Sequence, residues 1–235
     1  MKRLKKINLN NRLFLCAQNV RPQKVVADVG TDHAYLPIWL VLNDIIPYAF
    51  ATDVREGPLL NAQNNVIKYG AEKKIELKLS DGLDSLSGEL IDDVVIAGMG
   101  GELIIKIISR ANWLRDKTKH LILQPMSAEV ELREFLAKEN FRIDSEKAVV
   151  SAGKIYTVMS VFFEENLKKG DKIYPYIGGL RDDMSEEACI YIKKTIRDLK
   201  NKLKGYIFTN NEKKATELKD IIIDLEKMVG DNIND

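Results

Sequence analysis

The sequence predicts an α/β fold: a parallel sheet covered on both faces by helices, then an antiparallel helical hairpin. Three observations carry this. Short Val- and Ile-rich runs alternate with helically periodic segments over residues 24–138, as βαβ units do when their strands are buried on both faces. Two long strand-like runs then follow with only Ser151–Gly153 between them, a spacing too short for a crossover and suited to an antiparallel pair. Beyond Phe163 the period changes to two heptad-like stripes joined by a short turn.

In chain order, strands are predicted at Lys24–Val29, Ala49–Val54, Ile75–Ser80, Asp93–Ala97 and His120–Gln124. Helices are predicted between them at Ala34–Asn43, Pro58–Tyr69, Glu102–Arg110 and Ala128–Lys138, each with apolar residues on a helical period. The strand pair is Phe141–Val150 and Lys154–Phe163. Asn166–Asp171 reads as a polar linker, and Gly178 and Gly179 punctuate a second one. Ser185 is the expected N-cap of the next helix, with Glu186 and Glu187 complementing the helix dipole. Ile192, Ile196, Leu199, Leu203 and Tyr206 form its stripe, and Ala215, Leu218, Ile222, Leu225 and Val229 form the second. Thr209 and Glu212 are expected to make a capping box between the two helices. Two domains result, residues 1–164 and residues 165–235.

The 235 residues carry a net charge of +1, which gives no global electrostatic case for nucleic acid. The distribution is uneven: Lys2, Arg3, Lys5, Lys6, Arg12, Arg21 and Lys24 all precede the first acidic residue, Asp28, and read as a solvated face ahead of a phosphate-binding patch. Cys16 and Cys189 lack disulfide or metal-ligand spacing, and two histidines make no metal cluster. No metal is expected. Without an apolar leader or a bilayer-length run, the expectation is a cytoplasmic, monomeric protein.

A parallel sheet binds ligands at the carboxyl ends of its strands, beside the first strand. That places Asp28, Gly30, Thr31, Asp32 and His33 at the site. A dinucleotide fingerprint needs three glycines to admit a pyrophosphate, and this turn has one, flanked by aspartates that repel phosphates. A cofactor with an ammonium and a sulfonium suits those carboxylates, which favours S-adenosylmethionine (SAM) over a nicotinamide dinucleotide. Asp53 and Val54 end the second strand, where an acid accepts hydrogen bonds from ribose hydroxyls. Gly57 and Pro58 open the next helix. Asp81 and Gly82 end the third strand, as an adenine contact or a simple turn. Ala97, Gly98, Met99, Gly100 and Gly101 end the fourth, with glycines dense enough for close backbone approach to a ligand. Gln124 ends the fifth, suited to reading a base edge or to a buried structural role.

Taken together, these segments resemble the bacterial tRNA (adenine-N1)-methyltransferases of the TrmK type, which modify adenine 22 of tRNA. The carrying residues are Arg12–Leu13, Asp28–Pro37, Gly57–Leu59, Asp81–Leu83, Ala97–Gly101, Leu121–Pro125, Leu132–Arg133 and Gly153–Tyr156, in family order. The resemblance implies a Rossmann-like class I SAM-dependent methyltransferase sheet, with the C-terminal antiparallel helical hairpin (a coiled coil) helping to dock tRNA. It implies cofactor contacts from Asp28, Gly30, Asp32, His33, Tyr35, Asp53, Val54, Gly57, Pro58, Asp81, Gly82 and Ala97–Gly100, and substrate contacts from Arg12, Gln124, Arg133 and Tyr156. Many members carry Asn where this chain has Met126, and an acidic segment where it has Val150–Ala152.

Adenine N1 offers an in-plane lone pair, so orientation is expected to dominate the chemistry. The product is cationic, and Asp32 is the candidate carboxylate to stabilise it, or else a helix N-cap. Gln124 is the second candidate in the catalytic set. His33 is expected to touch the cofactor or cap the helix, and Tyr35 or Tyr156 to stack on the base. The rival functions are a nicotinamide-dependent oxidoreductase and a non-catalytic RNA-binding protein with a degenerate methyltransferase fold.

Overall fold

The structure, a computed structural model, describes residues 7–168, 170–183 and 185–231. Lys2, Arg3, Lys5 and Lys6 of the basic run, and Lys169 of the polar linker, lie outside the described residues. The first helix among the described residues is α1 (Asn11–Asn19), which the sequence pattern did not predict. Its cap is local: the Asn10 side chain accepts the Leu13 amide at 2.9 Å, an arrangement typically worth about 1 kcal/mol.

Strands β1 (Val26–Val29), β2 (Ala49–Asp53), β3 (Ile75–Leu79), β4 (Asp93–Met99), β5 (His120–Pro125), β6 (Phe141–Ser151) and β7 (Lys154–Phe163) form one sheet. Their order is β3-β2-β1-β4-β5-β7-β6. All neighbours are parallel except β7, which runs against both β5 and β6. The chain therefore reverses its direction of travel between β1 and β4, which opens a crevice at the carboxyl ends of those two strands.

Helices α2 (Tyr35–Leu42), α3 (Glu56–Tyr69), α4 (Gly101–Arg110) and α5 (Glu129–Lys138) alternate with the strands. Alternating strand residues face two cores. Val26, Ala49, Val95 and Ile122 pack with Cys16 and Val20, with Ile38 and Leu40 of α2, and with Val66 of α3. Ala27, Val29, Leu121 and Leu123 pack with Ile104 and Ile108 of α4 and Leu132 and Leu136 of α5. Residue 16 counts in the first core because α1 lies over the α2 side of the sheet.

After β7 come a short helix α6 (Tyr174–Ile177), a 3-10 turn at Gly178–Asp182, and the long helices α7 (Glu186–Phe208) and α8 (Glu212–Asp231). Ser185 caps α7 as expected, accepting the Ala188 amide. The two apolar stripes meet each other and Ile173 and Ile177 in a third core. The capping box is a correction. Thr209 Oγ1 donates back to the Gly205 carbonyl and so closes α7, while Asn211 Oδ1 accepts the Lys214 amide at the start of α8.

The segment expected as a Gly-punctuated linker is a buried junction. Leu180, Ala188 and Tyr191 pack against Ala148 and Ile155 of the β6–β7 pair. Behind them Arg133 is fully buried, and all five of its N–H donors are engaged. They reach Glu146, the carbonyls of Pro175 and Tyr176, and the Tyr191 hydroxyl. The expected substrate contact at Arg133 is therefore corrected: no donor is left for a ligand. Gly178 is seated on this pair at φ +51°, and a Cβ there would lie 2.1 Å from Glu146 Oε2. Among the described residues no helix is long and apolar enough to cross a membrane.

Candidate active site at the carboxyl edge of the sheet

Asp28 lies one residue before the end of β1, 8% exposed, with no ion-pair partner among the described residues. Burial pushes its carboxyl up to about 6, against the pull of the Thr31 hydroxyl. The turn that follows is held from within. The amides of Gly30 and Thr31 both donate to the Thr52 carbonyl of β2, each at 2.8 Å. They are not donors for a phosphate, which removes the usual means by which such a turn binds a diphosphate. Gly30 sits at φ +77°, a left-handed conformation that favours glycine, with the Met99 methyl at the end of β4 packed over it.

Asp32 and His33 continue the turn into solvent, with His33 Nε2 3.3 Å from an Asp32 oxygen. His33 stacks on Tyr35 at 5.1 Å between ring centroids, and its carbonyl accepts from the Asn65 side chain on α3. Neither Asp32 nor His33 caps α2: the N-cap is Ala34, in a left-handed conformation without a side-chain bond. The capping alternative for both residues is set aside, and the Asp32 carboxylate is 63% exposed.

Asp53 ends β2, 7% exposed, accepting the Arg55 amide at 2.9 Å. Val54 beside it is exposed, and Gly57 and Pro58 lie in the first turn of α3. Asp81 is surface-exposed and paired to Arg110 of α4 at 2.9 Å; that partner lowers its carboxyl below the ordinary value. Gly82 follows Asp81, buried against Ile107. Ala97–Gly100 close β4 and lead into α4, whose N-cap is Gly100.

Across the crevice, α1 brings a feature invisible in the strand pattern. Arg12 donates to Gln124 Oε1, and its guanidinium lies over the Tyr156 ring, 5.8 Å from the centroid. Gln124 Oε1 also accepts the Gly98 amide at 3.0 Å, and its Nε2 donates to the Pro125 carbonyl. Gln124 is fully buried, so the structural alternative holds for it. It positions Arg12 and the β4 turn, and its amide is not open to a base edge. The signal for α1 was in the sequence as Leu13, Cys16, Ala17 and Val20 behind Asn10, but the stretch is short.

A second polar cluster lies elsewhere. His120 Nδ1 is 3.2 Å from Asp93 Oδ2 and its Nε2 2.7 Å from Ser160 Oγ, with Arg21 paired to Asp93 at 2.6 Å. The acid–imidazole–hydroxyl order resembles a nucleophile relay. Asp93 and His120 are, however, the first residues of β4 and β5, at the edge opposite the crevice, and Ser160 is 6% exposed. It ties the α1–β1 connection to the sheet. Among the described residues no three His, Cys, Asp or Glu side chains converge as a metal site would require.

A family model described as a methyltransferase domain matches residues 9–159. A tRNA (adenine(22)-N(1))-methyltransferase of Bacillus subtilis is 31% identical over 206 residues, 84% of this chain and 84% of that protein. The crystal structure of the B. subtilis m1A22 tRNA methyltransferase TrmK superimposes with a TM-score of 0.84 at 28% identity, covering 95% of this chain and 100% of that one. TrmK of M. capricolum, solved with S-adenosyl-homocysteine, gives 0.78 at 25% identity over 94% and 98%. A family match over more than half the chain, and a relative aligned along most of both lengths, lead to one conclusion: the chain belongs to the tRNA (adenine(22)-N(1))-methyltransferase family of methyltransferase-domain proteins.

Proposed function

We propose that this protein transfers a methyl group from SAM to N1 of adenine 22 in tRNA. One observation carries the cofactor choice: Asp28 is a buried carboxylate without a cationic partner among the described residues, beside a glycine turn whose amides are already spent. A buried unpaired acid is costly unless a cationic ligand completes it. Asp28 and Asp32 would face the ammonium and sulfonium side of the cofactor, and Asp53 its ribose. When bound, SAM supplies an electrophilic methyl on a positively charged sulfur.

Adenine N1 needs no base to deprotonate it, so the residues of this chain act by placement. Arg12, held by Gln124 and resting on Tyr156, makes a rigid wall opposite the acidic turn. Tyr156 and Tyr35 present aromatic faces for a base drawn out of its pair. Asp32 offers an exposed carboxylate for the cation that forms on the base. The free thiols Cys16 and Cys189 suit a reducing compartment.

The decisive experiment is transfer of labelled methyl from SAM to unmodified tRNA, with adenine 22 replaced in a control transcript. Incorporation is expected in the first and none in the second. Asp32→Ala is expected to lower turnover by at least 10²-fold while SAM affinity stays within several-fold. Near-normal turnover removes Asp32 from the chemistry.

A further inference from the structure

The turns that follow β1 and β3 are joined through one residue of β2. Thr52 is fully buried; its carbonyl accepts the Gly30 and Thr31 amides, and its hydroxyl donates to the Gly82 carbonyl at 3.2 Å. The next residue adds a second link, the Asp53 carbonyl accepting the Ser80 amide at 2.9 Å. Ser80 Oγ in turn accepts the Ser85 amide at 3.1 Å, which folds the segment after β3 back on itself. Asp81 therefore stands in the same hydrogen-bonded frame as the acidic turn after β1, at the carboxyl edge of the sheet.

Helix α4 grips this segment from the other side. Gly82 packs on Ile107, and Arg110, one turn further along α4, forks Asp81. One guanidinium nitrogen donates to Asp81 Oδ2 at 2.9 Å, and the other to the Asp81 carbonyl at 3.0 Å. The second nitrogen also lies 3.5 Å from Asp84. Binding a side chain and its own main chain at once fixes the direction in which the carboxylate points. A lysine, a point charge with rotating donors, does not. The remaining oxygen, Asp81 Oδ1, has no partner among the described residues. Arg110 and Asp81 are 44% and 57% exposed, and an ion pair so open to water adds little to stability. What the fork sets is the orientation of one free acceptor.

We propose that Arg110 is a positioning residue for the adenine of the cofactor, holding Asp81 so that its free oxygen meets the 6-amino group. This rests on the reading of the crevice as a SAM site. The amino group of adenine donates N–H bonds, which an ionised carboxylate accepts. The 6-oxo group of hypoxanthine presents only lone pairs to the same oxygen. An acceptor held in place rejects the 6-oxo base, because the two acceptors then face each other unpaired. A carboxylate free to rotate evades the mismatch and selects less. Arg110 thus governs selectivity at one end of the cofactor, while the reacting sulfur lies at the other.

The test is calorimetry with S-adenosylhomocysteine and its 6-oxo analogue, S-inosylhomocysteine. The unaltered chain is expected to prefer the adenine form at least 10-fold. Arg110→Ala is expected to weaken S-adenosylhomocysteine binding about 5-fold, to leave the 6-oxo analogue unchanged, and so to shrink the preference by the same factor. Arg110→Lys keeps the charge and loses the fork, and is expected to behave as Arg110→Ala does. In a chain carrying Asp81→Ala, adding Arg110→Ala is expected to cost nothing further, since both act through one carboxylate. In steady-state methylation Arg110→Ala should raise KM for SAM and leave kcat within twofold. Thermal melts of the Arg110 variants are expected to match that of the unaltered chain.

An unchanged preference in Arg110→Ala, an equal loss for both ligands, full retention by Arg110→Lys, or a further loss on top of Asp81→Ala overturns the proposal. A large fall in melting temperature also overturns it, by assigning Arg110 to the fold. Equal binding of the two ligands by the unaltered chain removes Asp81 from the base, and the proposal with it. Binding of neither ligand sinks the SAM reading instead.

Discussion

Asp28 sets stability against binding within one side chain. Its carboxyl, raised to about 6 by burial, holds a proton more tightly in the folded chain than the unfolded value of about 4 would allow. Stability therefore falls as pH rises from about 4 through about 6, and the deficit is complete above that. Asp28→Asn is expected to raise the stability of the cofactor-free protein at pH 8 by roughly 1–3 kcal/mol, with little change near pH 4. Urea unfolding at the two pH values measures this. The same substitution is expected to weaken SAM binding at least 10-fold by calorimetry, and in the unaltered protein SAM affinity should fall as pH drops below 6. Position at a strand end nominated the aspartates, and the structure places Asp28 and Asp53 at the carboxyl ends of β1 and β2. Gln124 was nominated on the same logic and Arg133 by the family resemblance, and both turn inward, because their partners are backbone groups and side chains from distant segments. Glu146 and the 175–176 carbonyls carry no motif that announces them.

At the scale of elements, strands and helices of the sheet were legible from period and composition, within a residue or two at each end. The misses have physical causes. Helix α1 is only nine residues long, too short to show a sustained stripe, and it is held by the Asn10 cap and by burying Cys16 and Ala17 against the sheet. Thr209 was read as an opening cap, but its hydroxyl bonds equally well to the helix behind it. The α6 junction looked like a linker because its glycines serve close packing on Glu146. That junction hangs on one guanidinium. Arg133→Met is expected to cost about 3–5 kcal/mol, since it strands Glu146 in the interior. Adding Glu146→Leu should recover part of that loss. Denaturant midpoints of the single and double variants give the comparison, and a double variant less stable than Arg133→Met contradicts the ion-pair account.

At the scale of the whole molecule, a net charge of +1 suggested no polyanion partner, and the fold shows why that sum misleads. Acids gather at the β1 and β2 ends, and cations along α7 and the β6–β7 turn. Two ligands of opposite charge are then expected to respond differently to salt. Between 50 and 200 mM, tRNA affinity should fall at least 10-fold, while SAM affinity moves less than twofold. Parallel falls in both would point to a general field instead of two separate surfaces. The overall topology could be read from the sequence because each βαβ unit is local. The joint between sheet and hairpin could not, being made by residues 13 to 58 positions apart.

The Thr52 carbonyl that takes both amides of the Gly30 turn has a kinetic consequence. A turn already folded in the empty protein demands no ordering when a ligand arrives and no unwinding when one departs. Exchange of spent for fresh cofactor can then proceed without a loop transition, leaving turnover to be limited by handling of the RNA. Hydrogen–deuterium exchange offers a direct check. The Gly30 and Thr31 amides should be protected in cofactor-free protein to the degree of the neighbouring β1 amides, and cofactor should add little. Rapid exchange at those two positions would mean that the turn forms only around its ligand.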